Sequence, residues 1–482
     1  MCLRFLPRLA VLAACTQAAL FATAATRPNI VFIVADDLGW RDLASYGSTF
    51  HETPHLDRLA AQGVRFTQAY AASNVCSPTR ASILTGHYPA RTGITDWLPG
   101  RSSQPKDRLL APALPGHLAL EEVTLAKVLR AAGYRTASIG KWHLGEKPEH
   151  YPEHQGFDLN FGGSGKGHPP SYFSPHRLPN FPDGPAGEHL DDRLTREAVD
   201  FMQRTAAEGR PFLVYLTHYA PHTPLQAKPE LIAKYQAKLA AQPPAGPAIG
   251  QHPQDGSVRV VQSHATYAAM IESLDSSVGR IVAALDQLGL AGNTLLIFTS
   301  DNGGLSTSEG SPTSNLPLRA GKGWAYEGGV RVPLLVAWPG HIPAGKLSDE
   351  IVTSPDFFPT LLDMAGVPAQ AAAHVDGRSF APALAPQPVP SAERPIYWHY
   401  PHYSNQRGKP HGAVRRGQWK LIEWFEDGRT ELFDLTADLA ESSDLSTAQP
   451  EVVRDLLGQL RAWRETVGAR MPTPNPNHRP GS

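Results

Sequence analysis

Asn29-Ile30-Val31-Phe32-Ile33-Val34-Ala35-Asp36-Asp37 is the stretch on which the fold turns. From Ile30 on it is continuously apolar and rich in β-branched residues, which predicts a strand buried on both faces of a parallel sheet. Two carboxylates stand at its C-terminal end. A second run of the same kind, Thr294-Leu295-Leu296-Ile297-Phe298-Thr299, ends in Ser300-Asp301-Asn302-Gly303-Gly304. Ligands of open α/β sheets bind beyond the carboxyl ends of the strands. Asp36, Asp37, Asp301 and Asn302 are therefore expected at one edge.

The intervening sequence alternates between helix and strand signals. Thr53-Pro54 is placed to cap a helix with Leu56, Leu59 and Ala60 on one face, closed by Gly63. Thr124 is placed to cap another, carrying Leu125, Val128, Leu129 and Ala132, before Gly133 and a strand from Tyr134 to Ile139. Phe212 to Thr217 reads as a strand. His264 to Leu288 reads as a long helix with Tyr267, Ile271, Leu274, Val278, Ile281 and Leu285 toward the core. This order predicts an α/β fold.

Three carboxylates and an amide oxygen at one edge repel one another unless a cation sits among them. Oxygen ligands select a hard divalent ion, with calcium favoured over magnesium at an irregular carboxylate-rich site. Asp-Asp-Leu-Gly and Asp-Asn-Gly-Gly are also good turn sequences, and it is their pairing after two apolar strands that favours the ion. The lack of paired cysteines disfavours a soft metal.

Outside the leader one cysteine remains, in Cys76-Ser77-Pro78-Thr79-Arg80-Ala81-Ser82-Ile83-Leu84-Thr85-Gly86. Ser77 as N-cap and Pro78 at the first helical position put residue 76 at a helix N-terminus, where the dipole and free N–H groups favour an anion; Arg80 follows one turn on. A buried core residue, a thiolate nucleophile and a substrate for covalent conversion all remain open from the residues alone. The run resembles the Cys-x-Pro-x-Arg signature of the type I sulfatases, the formylglycine-dependent arylsulfatase and N-acetylgalactosamine-sulfatase-like family of the alkaline phosphatase superfamily. Threonine replaces the more frequent serine at position 79 and keeps the hydroxyl. The resemblance implies that a separate maturing enzyme oxidises Cys76 to formylglycine, whose hydrate is the nucleophile. It also implies calcium held by Asp36, Asp37, Asp301, Asn302 and residue 76.

Further motifs match the same family in order. Gly133-Tyr134-Arg135-Thr136-Ala137-Ser138-Ile139-Gly140-Lys141-Trp142-His143 resembles its second signature. In an extended chain Lys141 and His143 point the same way. His222, in Tyr219-Ala220-Pro221-His222-Thr223-Pro224, is a candidate proton donor; spacing does not choose between it and His218, and the family pattern favours His222. Lys322 lies between glycines in Arg319-Ala320-Gly321-Lys322-Gly323-Trp324, where the backbone can approach a ligand. By resemblance, Arg80, Lys141 and Lys322 neutralise the sulfate oxygens and His222 protonates the leaving oxygen. Asp301 helps deprotonate the attacking hydroxyl, and His143 orients the nucleophile and helps break down the sulfo-enzyme. The implied fold is a large, mostly parallel mixed sheet sandwiched by helices, with a small C-terminal antiparallel sheet and helix.

The 482 residues carry 44 Lys and Arg against 45 Asp and Glu, a balance without long-range attraction for nucleic acid. Arg4 and Arg8, the apolar Leu9 to Ala22 and the small residues Ala22-Thr23-Ala24 read as an export signal over residues 1–24, with a periplasmic or extracellular destination. Thr16 and Gln17 interrupt a stretch shorter than the roughly 20 residues of a membrane span. Leu12-Ala13-Ala14-Cys15 also resembles a lipobox, which would make the chain an outer-membrane lipoprotein anchored at Cys15. A single remaining cysteine allows no internal disulfide.

Residues 25–385 are read as the catalytic domain. The proline-rich Pro386 to Pro395 marks a boundary, and 386–471 read as a small α+β subdomain. There Ala413 to Arg416, Trp419 to Phe425 and Thr430 to Asp434 form a meander, followed by a helix carrying Val453, Leu456, Leu457, Leu460 and Trp463. Residues 472–482 are expected to be disordered. Thr92 to His117, Gly162 to Asp191 and Pro229 to Val258 read as long irregular segments placed to rim a pocket. Trp398-His399-Tyr400-Pro401-His402-Tyr403 suits sugar recognition or interdomain packing. The expected substrate is a sulfated carbohydrate or aryl sulfate. A phosphatase or phosphonate monoester hydrolase of the same superfamily, and a non-catalytic glycan-binding lipoprotein, are the alternatives.

Overall fold

The computed structural model describes residues 27–368, 370, 376–387 and 393–479. The leader, Cys15 and part of the proline-rich boundary lie outside the described residues. Among those described, the large sheet comprises β1 (Asn29–Ala35), β2 (Val64–Tyr70), β3 (Arg135–Gly140), β4 (Leu159–Phe161), β5 (Phe212–Thr217), β6 (Thr294–Ser300), β7 (Arg331–Ala337), β8 (Lys346–Ser348) and β9 (Val352–Thr353). Their order is β8-β2-β7-β6-β1-β5-β3-β4, with β9 also paired to β2. From β6 to β4 every neighbour is parallel; β7 runs antiparallel to β6 and β2, so the sheet is mixed.

Helices α1 (Pro54–Gln62), α2 (Cys76–Thr85), α3 (Leu125–Ala131), α4 (Leu190–Ala207), α5 (Pro229–Ala241), α6 (Ala265–Gln287) and α7 (Phe357–Met364) cover it. β1 explains the double layer. Val31, Ile33 and Ala35 pack toward α1, α4, α5 and α6, while Ile30, Phe32 and Val34 pack toward α2, α3 and α7. Each large apolar side chain so buried contributes roughly 1.5–3 kcal/mol, which is why the strand tolerates no polar alternation.

Helix starts vary in how they are satisfied. Thr124 caps α3 by accepting from the Lys127 N–H at 3.2 Å, and His264 Nδ1 caps α6 by accepting from that of Tyr267 at 3.3 Å. Thr53 takes the N-cap position of α1, yet its hydroxyl accepts from the Ala44 N–H and donates to Asp57 instead.

A second, antiparallel sheet joins β10 (Ile396–Tyr400), β11 (His411–Arg416), β12 (Trp419–Trp424) and β13 (Thr430–Asp434). Val414, Leu421 and Leu432 pack on Leu456 and Leu460 of α8 (Pro450–Thr466). Trp398, Ile422, Trp424 and Phe433 pack against Tyr70, Trp324, Tyr326 and Val330 of the large unit.

One of two open alternatives is favoured here and two sequence expectations are corrected. The run 398–403 serves packing, not sugar recognition, at its first residues: Trp398 lies in β10 and donates to the Ala71 carbonyl at 2.8 Å. Residues 229–258 are not irregular; Leu231, Ile232, Tyr235 and Leu239 carry helical spacing and pack α5 on the core, and Ile249–His252 pairs with Gly256–Arg259 as a hairpin. The tail is ordered at its start, where Thr473–Pro474 pairs with Leu109–Leu110 and Asn475 donates to the Asp107 carbonyl at 2.8 Å.

Candidate active site

Register assembles the site. Ala35 lies opposite Ser300, and Thr217 opposite both Val34 and Gly140, so Asp36 and Asp301 leave adjacent strands, and Lys141 the strand beyond β5, at one sheet edge. Consecutive residues of a strand point to opposite faces. Asp37 escapes this by adopting φ 65°, outside the extended region, and both aspartates turn into the same space. Its N–H donates to Asp301 Oδ1 at 3.2 Å, tying the two strand ends together.

Cys76 opens α2, two residues earlier than the sequence predicts, with Val75 as N-cap. Ser77 instead bridges two loops, its hydroxyl donating to the His143 carbonyl at 2.8 Å and accepting from the Leu98 N–H at 3.1 Å. Cys76 is 2% exposed. Burial pushes its thiol up to about 12, against the pull of Lys141 and Lys322. A thiol that stays protonated is a poor nucleophile. Arg80 also departs from expectation: Nε and Nη2 donate to Asp301 Oδ2 at 2.9 and 2.7 Å and Nη1 to the Lys141 carbonyl at 3.0 Å. The buried guanidinium organises the carboxylates and the end of β3 rather than facing the pocket.

Lys141 Nζ donates to Asp36 Oδ2, and Lys322 Nζ to Asp37 Oδ2, each at 2.7 Å. His143 is not extended; at φ 59° the chain turns, and the imidazole donates from Nε2 to the Leu98 carbonyl at 2.7 Å. That leaves Nδ1 buried without a hydrogen-bond partner among the described residues. His222 has the opposite tautomer, donating from Nδ1 to the Thr223 carbonyl at 2.7 Å and accepting at Nε2 from Lys322 at 3.1 Å. Both rings are held well below the ordinary imidazole range, by burial first, then by Lys141 for His143 and by Lys322 for His222. His218 lies elsewhere, buried between Asp191 and Ser277 at 2.9 and 3.0 Å.

The oxygen donors fit a hard cation. Asp36 Oδ1 and Asn302 Oδ1 are buried and accept no hydrogen bond among the described residues. Donor atoms of Asp36, Asp37, Cys76 and His222 all lie within 4.8 Å of one another. Burial holds the Asp36 carboxyl well above its usual range, with Asp301 and Asp37 adding repulsion that Lys141 only partly offsets. A divalent ion among Asp36, Asp37, Asp301 and Asn302 would relieve that crowding.

Above these groups lies a cavity of about 410 Å³ lined by Cys76, His143, His222, Lys322, Trp97 and His168, among others. Two of the three long segments, 92–117 and 162–191, do supply its rim; 229–258 supplies nothing. His168 and Glu309 escaped the sequence reading. The ring of His168 lies parallel to that of His222 with centroids 6.2 Å apart, and the glycine-flanked Gly165-Lys166-Gly167-His168 run was its only signal.

A parallel-sheet edge that crowds carboxylates, lysines and a buried helix-start residue around one cavity has the composition of a hydrolase centre for anionic esters. The sulfatase profile matches residues 28–367, and that of the N-sulphoglucosamine sulphohydrolase C-terminal region matches 320–466. N-acetylgalactosamine-6-sulfatase of Sus scrofa is 33% identical over 443 residues, covering 87% of this chain and 76% of its own. Arylsulfatase A of Homo sapiens is 35% identical over 462 residues, covering 89% and 81%. The crystal structure of Ps i-CgsB in complex with k-i-k-neocarrahexaose superposes with a TM-score of 0.74 at 33% identity, covering 91% of this chain and 93% of the other. The chain belongs to the sulfatase family and is a sulfuric ester hydrolase.

Proposed function

We propose that the chain hydrolyses sulfate monoesters of a sugar or glycan through a formylglycine hydrate made from Cys76, with one calcium ion. The observation that carries this reading is the buried, protonated Cys76 thiol set between two lysines and an undercompensated carboxylate cluster. As a thiol the residue has no chemistry to offer there. The sugar substrate is favoured by the kinship to an N-acetylgalactosamine-6-sulfatase and to a structure holding an oligosaccharide.

The aldehyde hydrate supplies two hydroxyls on one carbon, one to attack sulfur as Asp301 takes its proton and one whose proton loss lets sulfate depart. Calcium held by Asp36, Asp37, Asp301, Asn302 and residue 76 would supply Lewis-acid stabilisation of sulfate charge. Lys141 and Lys322 bind the anion's oxygens by exchanging their carboxylate contacts for it. An anion beside His222 favours its protonated form, in which Nε2, released from Lys322, carries the proton that the leaving oxygen takes. His143 keeps Nε2–H on the Leu98 carbonyl, so Nδ1 is free to accept the proton of the second hydroxyl. Arg80 holds Asp301 in place throughout.

The leader supports export, either as a cleaved signal or with a lipid at Cys15, and no described helix is long and apolar enough to cross a membrane. We divide the chain into a catalytic unit, 25–385, and a C-terminal unit, 386–471. The test is mass spectrometry of the tryptic peptide holding residue 76, from protein made with a formylglycine-generating enzyme, beside sulfate and phosphate release from matched esters. An unmodified thiol despite active maturing enzyme would falsify the nucleophile, and faster phosphate release would favour a phosphatase.

A further inference from the structure

Two loops wall the catalytic cavity on one side, one through Trp97, Leu98 and Pro99 and one through Asn405 and Gln406. Followed outward, the same two loops enclose a second cavity of about 440 Å³. The first contributes Arg101, Gln104 and Lys106; the second contributes Tyr403, Asn405 and Lys409. Asn405 lines both cavities. We propose that they form one trench, and that the second cavity is a subsite for an anionic residue of an oligosaccharide whose sulfated sugar occupies the first. The inference rests on the sulfatase reading above and adds that the substrate is longer than one sugar and carries a second anion.

The chemistry of the second cavity fits that ligand. Its cations Arg101, Lys106, Arg407 and Lys409 outnumber its carboxylates Asp107 and Glu426. Asp107 is engaged by Arg101 at 2.7 and 3.0 Å, and Glu426 by Lys409 at 2.6 Å. Lys106 and Asn405 are exposed, and among the described residues their side chains make no hydrogen bond or ion pair. They are available to a ligand. Tyr403 lines the cavity with one ring face toward the Arg101 guanidinium at 5.7 Å, its hydroxyl fixed by donation to Glu426 at 2.7 Å and by the Arg108 N–H at 3.0 Å. The wall is braced from behind, because Asn475 donates to the carbonyls of Asp107 and Arg108 at 2.8 and 2.9 Å. A braced wall binds with less ordering cost.

The test uses matured full-length protein, an aryl sulfate that reaches only the first cavity, and sulfated oligosaccharides bearing a second sulfate, a carboxylate or no second anion. Wild-type protein is expected to prefer an oligosaccharide with a second anion, and the three arms show whether sulfate or carboxylate is read. Lys106→Ala is expected to lower kcat/KM on that substrate about tenfold through KM, the worth of one charge-assisted hydrogen bond. The same variant should leave aryl sulfate turnover unchanged. Equal effects of Lys106→Ala on every substrate, or no effect on any, overturn the trench while aryl sulfate turnover stands. Absence of sulfate release from every substrate, aryl sulfate included, overturns the sulfatase reading and the trench with it.

Discussion

Lys420→Met should destabilise the protein by about 4 kcal/mol at pH 8 and only about 2 kcal/mol at pH 5.5, a loss typical of breaking a buried ion pair from one side. Lys420 is fully buried, and its ammonium lies 3.0 Å from both Glu327 Oε1 and Glu441 Oε1. Glu327 keeps Tyr70 and Arg331 as partners when the charge goes. Among the described residues the Glu441 carboxylate keeps only the Glu327 N–H. Its carboxyl already stands at about 7, raised by burial and by Glu327 against the pull of Lys420. Because this folded value lies above the usual 4.5, the folded state holds a proton that the unfolded chain releases, so stability is lost as pH rises from 4.5 through 7. Removing Lys420 widens that gap at about 1.4 kcal/mol per pH unit. Urea unfolding at the two pH values measures it, and Lys420→Met with Glu441→Gln should recover part of the loss at pH 8. A loss that is the same at both pH values, or under about 1 kcal/mol at pH 8, would refute Lys420 as the counter-ion.

Gly140→Ala should cost about 3 kcal/mol, since φ is 101° and a Cβ would stand 2.0 Å from the Thr217 carbonyl oxygen; urea unfolding showing less than about 1 kcal/mol contradicts the close approach. Burial lowers His411 to about 4, so the folded state refuses a proton that the unfolded chain takes up, and stability is lost as pH falls from 6.5 toward 4. The contribution is about 3 kcal/mol by pH 4, and His411→Asn should flatten the acid limb of a stability-versus-pH curve. Calcium at one hundred times its dissociation constant should stabilise by about 2.7 kcal/mol, seen as a rise in Tm that chelator reverses. Asp36→Asn should abolish that rise, and an unchanged Tm in wild-type protein would remove the metal from the account.

The sheet was legible because β1, β5 and β6 each bury both faces, which no surface strand can imitate. The carboxylates were legible for the same reason, as both pairs end such strands. What stayed hidden depended on contacts between distant residues. Nothing local distinguishes Ser77 as an N-cap from Ser77 as a clamp on His143 and Leu98. Arg80 reads as an anion ligand until Asp301, 221 residues away, takes its guanidinium. The extended reading of Lys141 and His143 failed because His143 adopts a left-handed backbone that β-pattern reasoning does not anticipate. In β10 the aromatic residues mimic a sugar platform, and only the second sheet's seat on Tyr70 and Trp324 reveals packing.

The burial of Cys76 sets a clock. At 2% exposure, at the floor of a cavity also lined by His143 and Leu98, its sulfur is out of reach of a macromolecular catalyst once the sheet has closed. Closure needs β6, whose residues pair with β1 from 265 positions downstream, a contact among the slowest to form. Synthesis and folding thus leave an interval in which residue 76 is accessible and the centre does not yet exist. On the proposed function, the step that oxidises this cysteine competes with folding, and the active fraction of a preparation becomes a ratio of two rates rather than a property of the finished molecule.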